Sequence, residues 1–208
     1  MNKVLKLLTH EIYIVSMLGI ISVTTAWAGV QSSLHSGAAD EAYSVYQLDL
    51  NESNNMWITS EVKYRADLTV WKDKQVRLLI DGVSTDDIYN DLQTANGSYE
   101  FSVYAHDCLI AQPQSYLPDC TPYMDELYVP QAEVWERASE SLVVSENESG
   151  HSDRLQLLTA LLAVSLFMLG IASVVKRKEL LAPLVILATS LWVFGCIVIL
   201  NVPVIAVG

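Results

Sequence analysis

Charge is what long parts of this chain lack. No Asp, Glu, Lys or Arg occurs in residues 12–34, 155–175 or 180–208 of the 208-residue sequence. A core of this size cannot hide so much uncharged, apolar chain from water, which argues against a soluble protein. Bases are scarce too: between Asp40 and Asp153 the only ones are Lys63, Arg65, Lys72, Lys74, Arg77 and Arg137. The net charge of −12 therefore sits mainly on that stretch, which repels nucleic acid and anionic lipid and argues against either as a partner. Signs of catalysis are missing as well. His10-Glu11 lacks the second His of a zinc-protease helix, and there is no nucleophile elbow, phosphate-cradling glycine loop or paired catalytic carboxylate. An enzyme and a bound cofactor are not expected.

Three apolar runs stand out instead. Residues 12–30, 155–175 and 180–202 are each long enough to span a bilayer, which takes about 20 residues of helix. The second and third are joined only by Lys176-Arg177-Lys178-Glu179, so they must form a hairpin whose turn lies at one membrane face. The positive-inside rule puts Lys176, Arg177 and Lys178 in the cytoplasm. Lys3 and Lys6 before the first run put the N-terminal residues 1–11 on the same side, and the acidic residues 31–154 on the other. Residues 203–208 follow the third span on that outer side. The first run has a rival reading, since Ala26-Trp27-Ala28 before Gly29 resembles a signal-peptide cleavage site. Either reading exports residues 31–153. The helical spacing of Ala26, Trp27, Val30, Leu34 and Ala38 favours an uncleaved anchor. No Asp, Glu, Lys or Arg lies within the spans, which argues against a self-sufficient pump. Asn201-Val202-Pro203 marks the exit of the third span, and Ala160, Ala163, Gly170 and Ser173 are candidates for close helix approach.

The exported stretch carries a seven-residue repeat of large side chains: Tyr43, Leu50, Trp57, Tyr64, Trp71 and Leu78. It suggests one stripe of a long helix, coiled-coil-like in its packing. Tyr46 and Leu68 extend a second seam, which Ser53, Ser60, Asp67 and Lys74 interrupt. Alternation over Val62, Tyr64, Ala66, Leu68 and Val70 is the competing strand signal. A second helix begins at Thr121-Pro122 and carries Tyr128, Trp135 and Leu142, again seven apart. Pro130 is expected to kink or restart it, and Asn147-Glu148-Ser149-Gly150 to interrupt it. The expected fold is thus mainly α: three transmembrane helices, a long antiparallel helical pair outside the cytoplasmic membrane, and a small distal cap in residues 81–121. In that cap Thr85-Asp86-Asp87 starts a short helix ending near Asn96-Gly97.

Cys108 and Cys120 flank a short Pro-containing loop, and an oxidising compartment would favour a disulfide between them. Cys196 lies in an apolar run and serves as a small hydrophobe. His106, Asp107, Cys108 and Cys120 match no metal-ligand spacing, nor do Asp81, Asp86, Asp87 and Asp91 form a calcium loop. A solvated acidic surface is the plainer account. Asn51, Asn96 and Asn147 begin N-x-[ST] triplets, which matter only in a eukaryotic secretory pathway.

The stretch Trp27-Ala-Gly-Val-Gln31-Ser-Ser-Leu34-His-Ser36-Gly37, with Ser152-Asp153-Arg154 and the hairpin of residues 155–200, resembles a family of uncharacterised bacterial membrane proteins. These combine one N-terminal span, an exported helical region and a closing transmembrane hairpin. His35 departs from the aromatic residue more usual there, and residues 80–120 match poorly. The resemblance implies the architecture above and brings no activity or functional residues. The first expectation for function is a non-enzymatic structural or accessory subunit of a membrane assembly, embedded in the lipid bilayer with homo- or hetero-oligomeric membrane partners. An extracytoplasmic ligand or cation sensor is the alternative, and a channel subunit formed by oligomerisation comes third.

Overall fold

The computed structural model describes residues 11–81, 87, 97–99, 101, 103–104, 120–175 and 177–205. Three helices account for nearly all of them: α1 (Glu11–Asp81), α2 (Thr121–Val174) and α3 (Lys178–Ile199). No strand occurs among the described residues, so the alternation over 62–70 does not make one. Each of the three helices contains a segment long and apolar enough to cross a membrane. Only 22%, 28% and 17% of their most apolar windows is buried inside the protein, leaving most of that greasy surface for lipid to cover.

The chain divides into two compact units, Met1–Tyr43 with Leu142–Gly208, and Ser44–Ser141. The core of the first, the span unit, is aliphatic. Ile14, Met17 and Ile21 of α1 are buried with Leu155, Leu158, Leu162 and Leu169 of α2 and Val185 and Ala188 of α3. Gly195 on α3 sits where a Cβ would come within 2.7 Å of Leu158 and 3.3 Å of Leu162, so α3 needs glycine at that point. The small residues expected to make such contacts do not. Ala160, Ala163 and Ser173 are exposed, and Gly170 has nothing within 4 Å of its Cβ position. Beyond Ile199 the chain leaves the helix through a tight turn, with Asn201 and Val202 N–H groups donating to the Val198 and Ile199 carbonyls.

The second unit, Ser44–Ser141, has an aromatic core. Trp71, Phe101 and Tyr123 are almost fully buried, and their rings meet edge to face with centroids 6.0 and 5.8 Å apart, an arrangement favoured by the ring quadrupoles. Tyr64 and Tyr128 pack against this cluster.

Several local expectations change. α2 passes through Pro130 and through Asn147–Gly150 without ending. Proline removes one helix hydrogen bond and crowds the preceding turn; Ser60 Oγ donates to the Leu127 carbonyl at 2.6 Å, binding α1 to α2 in that turn. α2 opens one residue earlier than a Thr121 cap implies, with the Met124 N–H donating to the Cys120 carbonyl. α3 begins at Lys178, inside the stretch expected to turn, with Arg177 extended before it. Most of the expected cap, including Thr85 and Asp86, lies outside the described residues.

Candidate functional site

The large-residue stripe is not the face that α1 and α2 bury against each other. Tyr43, Trp57 and Trp135 are 47%, 50% and 51% exposed, Leu50 and Leu142 are half-buried, and of Leu78 only the helical backbone is described. Trp71 alone is fully buried, with Tyr64 and Tyr128 half-covered beside it. The buried repeat is the interrupted one: Ser32, Ala39, Ser53, Ser60 and Asp67, none more than 8% exposed, spaced by seven except across the half-buried Tyr46. On α2 the counterpart is Ala138, Ser145 and Ser152. Trp57, Tyr64 and Trp71 each stand four places after a seam residue. Four residues turn an α-helix about 40° past a full turn, so they flank the contact. They become interior only where other residues cover them, as Phe101 does Trp71.

Small side chains let two helices approach closely, and their hydroxyls can then reach the neighbouring backbone. In the span unit Ser32 Oγ donates to the Ser152 carbonyl at 3.2 Å, Ser152 Oγ to the Ser32 carbonyl at 3.1 Å, and Ser145 Oγ to the Ala39 carbonyl at 2.9 Å. In the second unit Ser53 Oγ reaches the Gln131 carbonyl at 3.4 Å, and Gln131 Nε2 donates back to Ser53 Oγ at 2.8 Å.

Two clusters of titratable groups are built on this seam. In the second unit the Asp67 carboxylate is fully buried and accepts three hydrogen bonds. These come from the Ser98 N–H at 2.7 Å, Ser98 Oγ at 2.6 Å and Tyr123 Oη at 2.7 Å. Gly97 lets this backbone come close, since a Cβ there would meet Phe101 at 2.9 Å and Asp67 at 3.4 Å. Burial, then the hydrogen bond and charge of Asp67, push the Tyr123 phenol well above its ordinary range, keeping it a donor. Burial and then Glu61 raise Tyr128 likewise.

In the span unit the cluster centres on His35, which is fully buried. Its Nδ1 lies 2.5 Å from Glu148 Oε2 and its Nε2 3.0 Å from the Pro203 carbonyl oxygen. The His151 ring stands 5.3 Å away, its Nδ1 buried without a hydrogen-bond partner among the described residues. One turn before His35, Gln31 donates from Nε2 to the Ile205 carbonyl at 3.1 Å and accepts the Ile205 N–H at 3.0 Å. α1, α2 and the segment after α3 are thus tied together by three side chains, Gln31, His35 and Glu148. The two short stretches 27–37 and 152–154 contribute Gln31, Ser32, His35 and Ser152 to this place. Glu148 and Pro203 stood out in the sequence only as part of a helix interruption and of a span exit, not as partners of His35.

Of the other expected site residues, Lys3, Lys6, Lys176 and Cys108 lie outside the described residues, and Arg177 is exposed. Cys120 is buried and engaged, whereas Cys196 is free. No group of three or more His, Cys, Asp or Glu side chains fit to hold a metal ion occurs among the described residues. Compared with models of protein families, with curated proteins and with solved structures, the chain matches none.

Proposed function

We propose that this chain is a non-enzymatic integral membrane protein, a structural or accessory subunit of a membrane assembly that presents an acidic helical pair outside the cytoplasmic membrane. The observation that carries the reading is the combination of three mostly lipid-accessible apolar helices with aromatic side chains left uncovered beyond them, Trp57 and Trp135 among them. Lipid accounts for the first exposure. A protein partner accounts for the second, because large aromatics dominate interface energetics where they can be desolvated. α1 and α2 run antiparallel in this reading. Its support is the falling order of bonded positions, Ser32 with Ser152 and Ala39 with Ser145. The bases at 3, 6 and 176–178 support a cytoplasmic side for both, and a Cys108–Cys120 disulfide belongs to the outer region. Membership of the bacterial family that residues 27–37 resemble fits the same architecture.

Purification of the full chain in mild detergent at native expression, followed by mass measurement, tests the assembly. A discrete complex larger than one chain is expected, and Trp57→Glu with Trp135→Glu should break it up while helicity is unchanged. A wild-type monomer would contradict the proposal. The second reading, an extracytoplasmic ligand or cation sensor, is favoured by one observation, the buried His35 ring set against the Glu148 carboxyl.

A further inference from the structure

The helix pair of the second unit has two flanks, and they differ in charge. Each residue advances an α-helix by about 100°. Counted from the buried Ser53, Trp57 and Asn54 stand about 40° and 100° round one way. Glu52 and Lys63 stand about 100° and 80° round the other. Counted from the buried Val134, Trp135 stands about 100° round in the first sense, and Glu126 and Glu133 about 80° and 100° in the second. Contacts show that like senses share a flank. Glu52, Lys63, Glu126 and Pro130 line one groove, and Arg137 lies 4.0 Å from Asp49 and Glu52 on that side. On the other side Tyr128 Oη donates to Glu61 at 3.4 Å. Across residues 47–58 and 131–140 the charged side chains are Asp49, Glu52, Glu133, Glu136, Arg137 and Glu140. All of them turn in the second sense, to the groove flank or the back. The first flank is uncharged over this length and presents Trp57, Ile58 and Trp135, each about half exposed. Glu61 stands beyond it, ion-paired to Arg65 at 2.8 Å. A helix pair solvated all round has no need of such a flank.

We infer that this flank is where a second copy of the chain packs, the two helix pairs meeting face to face as a four-helix bundle. The inference rests on the assembly proposed above and names its partner. Charge selects the copy. A chain of net charge −12 repels itself most where acids face acids and least across a side that carries none. A basic partner would instead be drawn to the groove flank. Membrane anchorage acts in the same direction. Copies held in one bilayer share an orientation, so a given residue stands at the same height in each. Like flanks therefore meet level, as a two-fold contact requires. The flank is also self-complementary in size. Ala132 and Ser139, three before and four after Trp135 on the same helix face, leave room for a Trp of the facing copy.

Two differently tagged full-length chains, co-expressed and treated in the intact membrane with a short bis-maleimide, test this. Asn54→Cys puts a thiol on the uncharged flank, and Glu52→Cys puts one two residues away on the other; both positions are exposed. For Asn54→Cys a two-chain species carrying both tags is expected several-fold above the parent chain, and for Glu52→Cys at the parent level. Adding Trp57→Glu and Trp135→Glu to the Asn54→Cys chain should abolish it. Equal two-chain cross-linking from both positions, or none above the parent from either, would overturn the inference. A link made within one chain would show that the chain covers its own flank and overturns it as well. Asn54→Cys joined to a different protein overturns the self-pairing and leaves the assembly standing, whereas a wild-type chain that purifies as a monomer removes both.

Discussion

The two units solve the same problem, a charged group inside a helix seam, by different chemistry. In the second unit Asp67 is surrounded by neutral donors, one amide and two hydroxyls. In the span unit the His35 ring instead meets a second titratable side chain, Glu148, directly. A carboxylate held by donors that keep their hydrogens is a fixed strut. The comparison shows that a helix seam can take in a charged group either with neutral donors or with a second titratable side chain.

The largest effect should come from breaking the strut. Asp67→Ala strands the buried Tyr123 hydroxyl and removes a charged acceptor from two half-buried Ser98 donors, an unmet buried donor costing about 1–3 kcal/mol and a hydrogen bond to a charged group contributing about 1.5–3 kcal/mol, so a loss of about 3 kcal/mol is expected in chemical denaturation. A loss below about 1 kcal/mol, no more than one ordinary hydrogen bond, would show that the carboxylate is not structural. The pH behaviour sharpens the contrast. Tyr123's phenol is raised by burial and then by Asp67. A raised folded value means its contribution is complete below the unfolded value of about 10 and is lost only as pH climbs through the folded one. Protection of amides near Tyr123 should therefore be level across neutral pH.

Smaller effects test the packing of each unit. Gly195→Val forces a side chain towards Leu158 and Leu162, where a Cβ alone would come within 2.7 and 3.3 Å. Overpacking of this kind costs about 1–3 kcal/mol, readable as a lower melting temperature in detergent. Smallest is Ser60→Ala, which removes one hydroxyl donor to the Leu127 carbonyl. About 0.5–1.5 kcal/mol is expected, and no change would mean the bond beside Pro130 is incidental.

Much of the helical framework was readable from local pattern. The uncharged runs predicted three apolar helices, and Thr121-Pro122 marked the start of α2 to within a residue. The seam was harder to read. Two stripes of the same seven-residue period lie side by side on α1, and the large one draws attention because bulky apolar side chains usually mark interiors. Here the small, hydroxyl-bearing stripe is interior, since two helices alone leave flanking aromatics uncovered. Gly195 was missed for a related reason: a lone glycine in an apolar run carries no sign of which leucines it faces. The His35 cluster was beyond local reading altogether. Its partners are 113 and 168 positions away in the chain, and only folding brings them together.

The central claim, that three helices sit in lipid with the bases at 176–178 inside the cell, can be tested with a membrane-impermeant maleimide on intact cells. Labelling would be compared with the parent chain for single Ser139→Cys and Arg177→Cys variants, both exposed positions. The account predicts added label on the Ser139→Cys chain in intact cells and on the Arg177→Cys chain only after the membrane is opened. Labelling of Arg177→Cys from outside intact cells would contradict it.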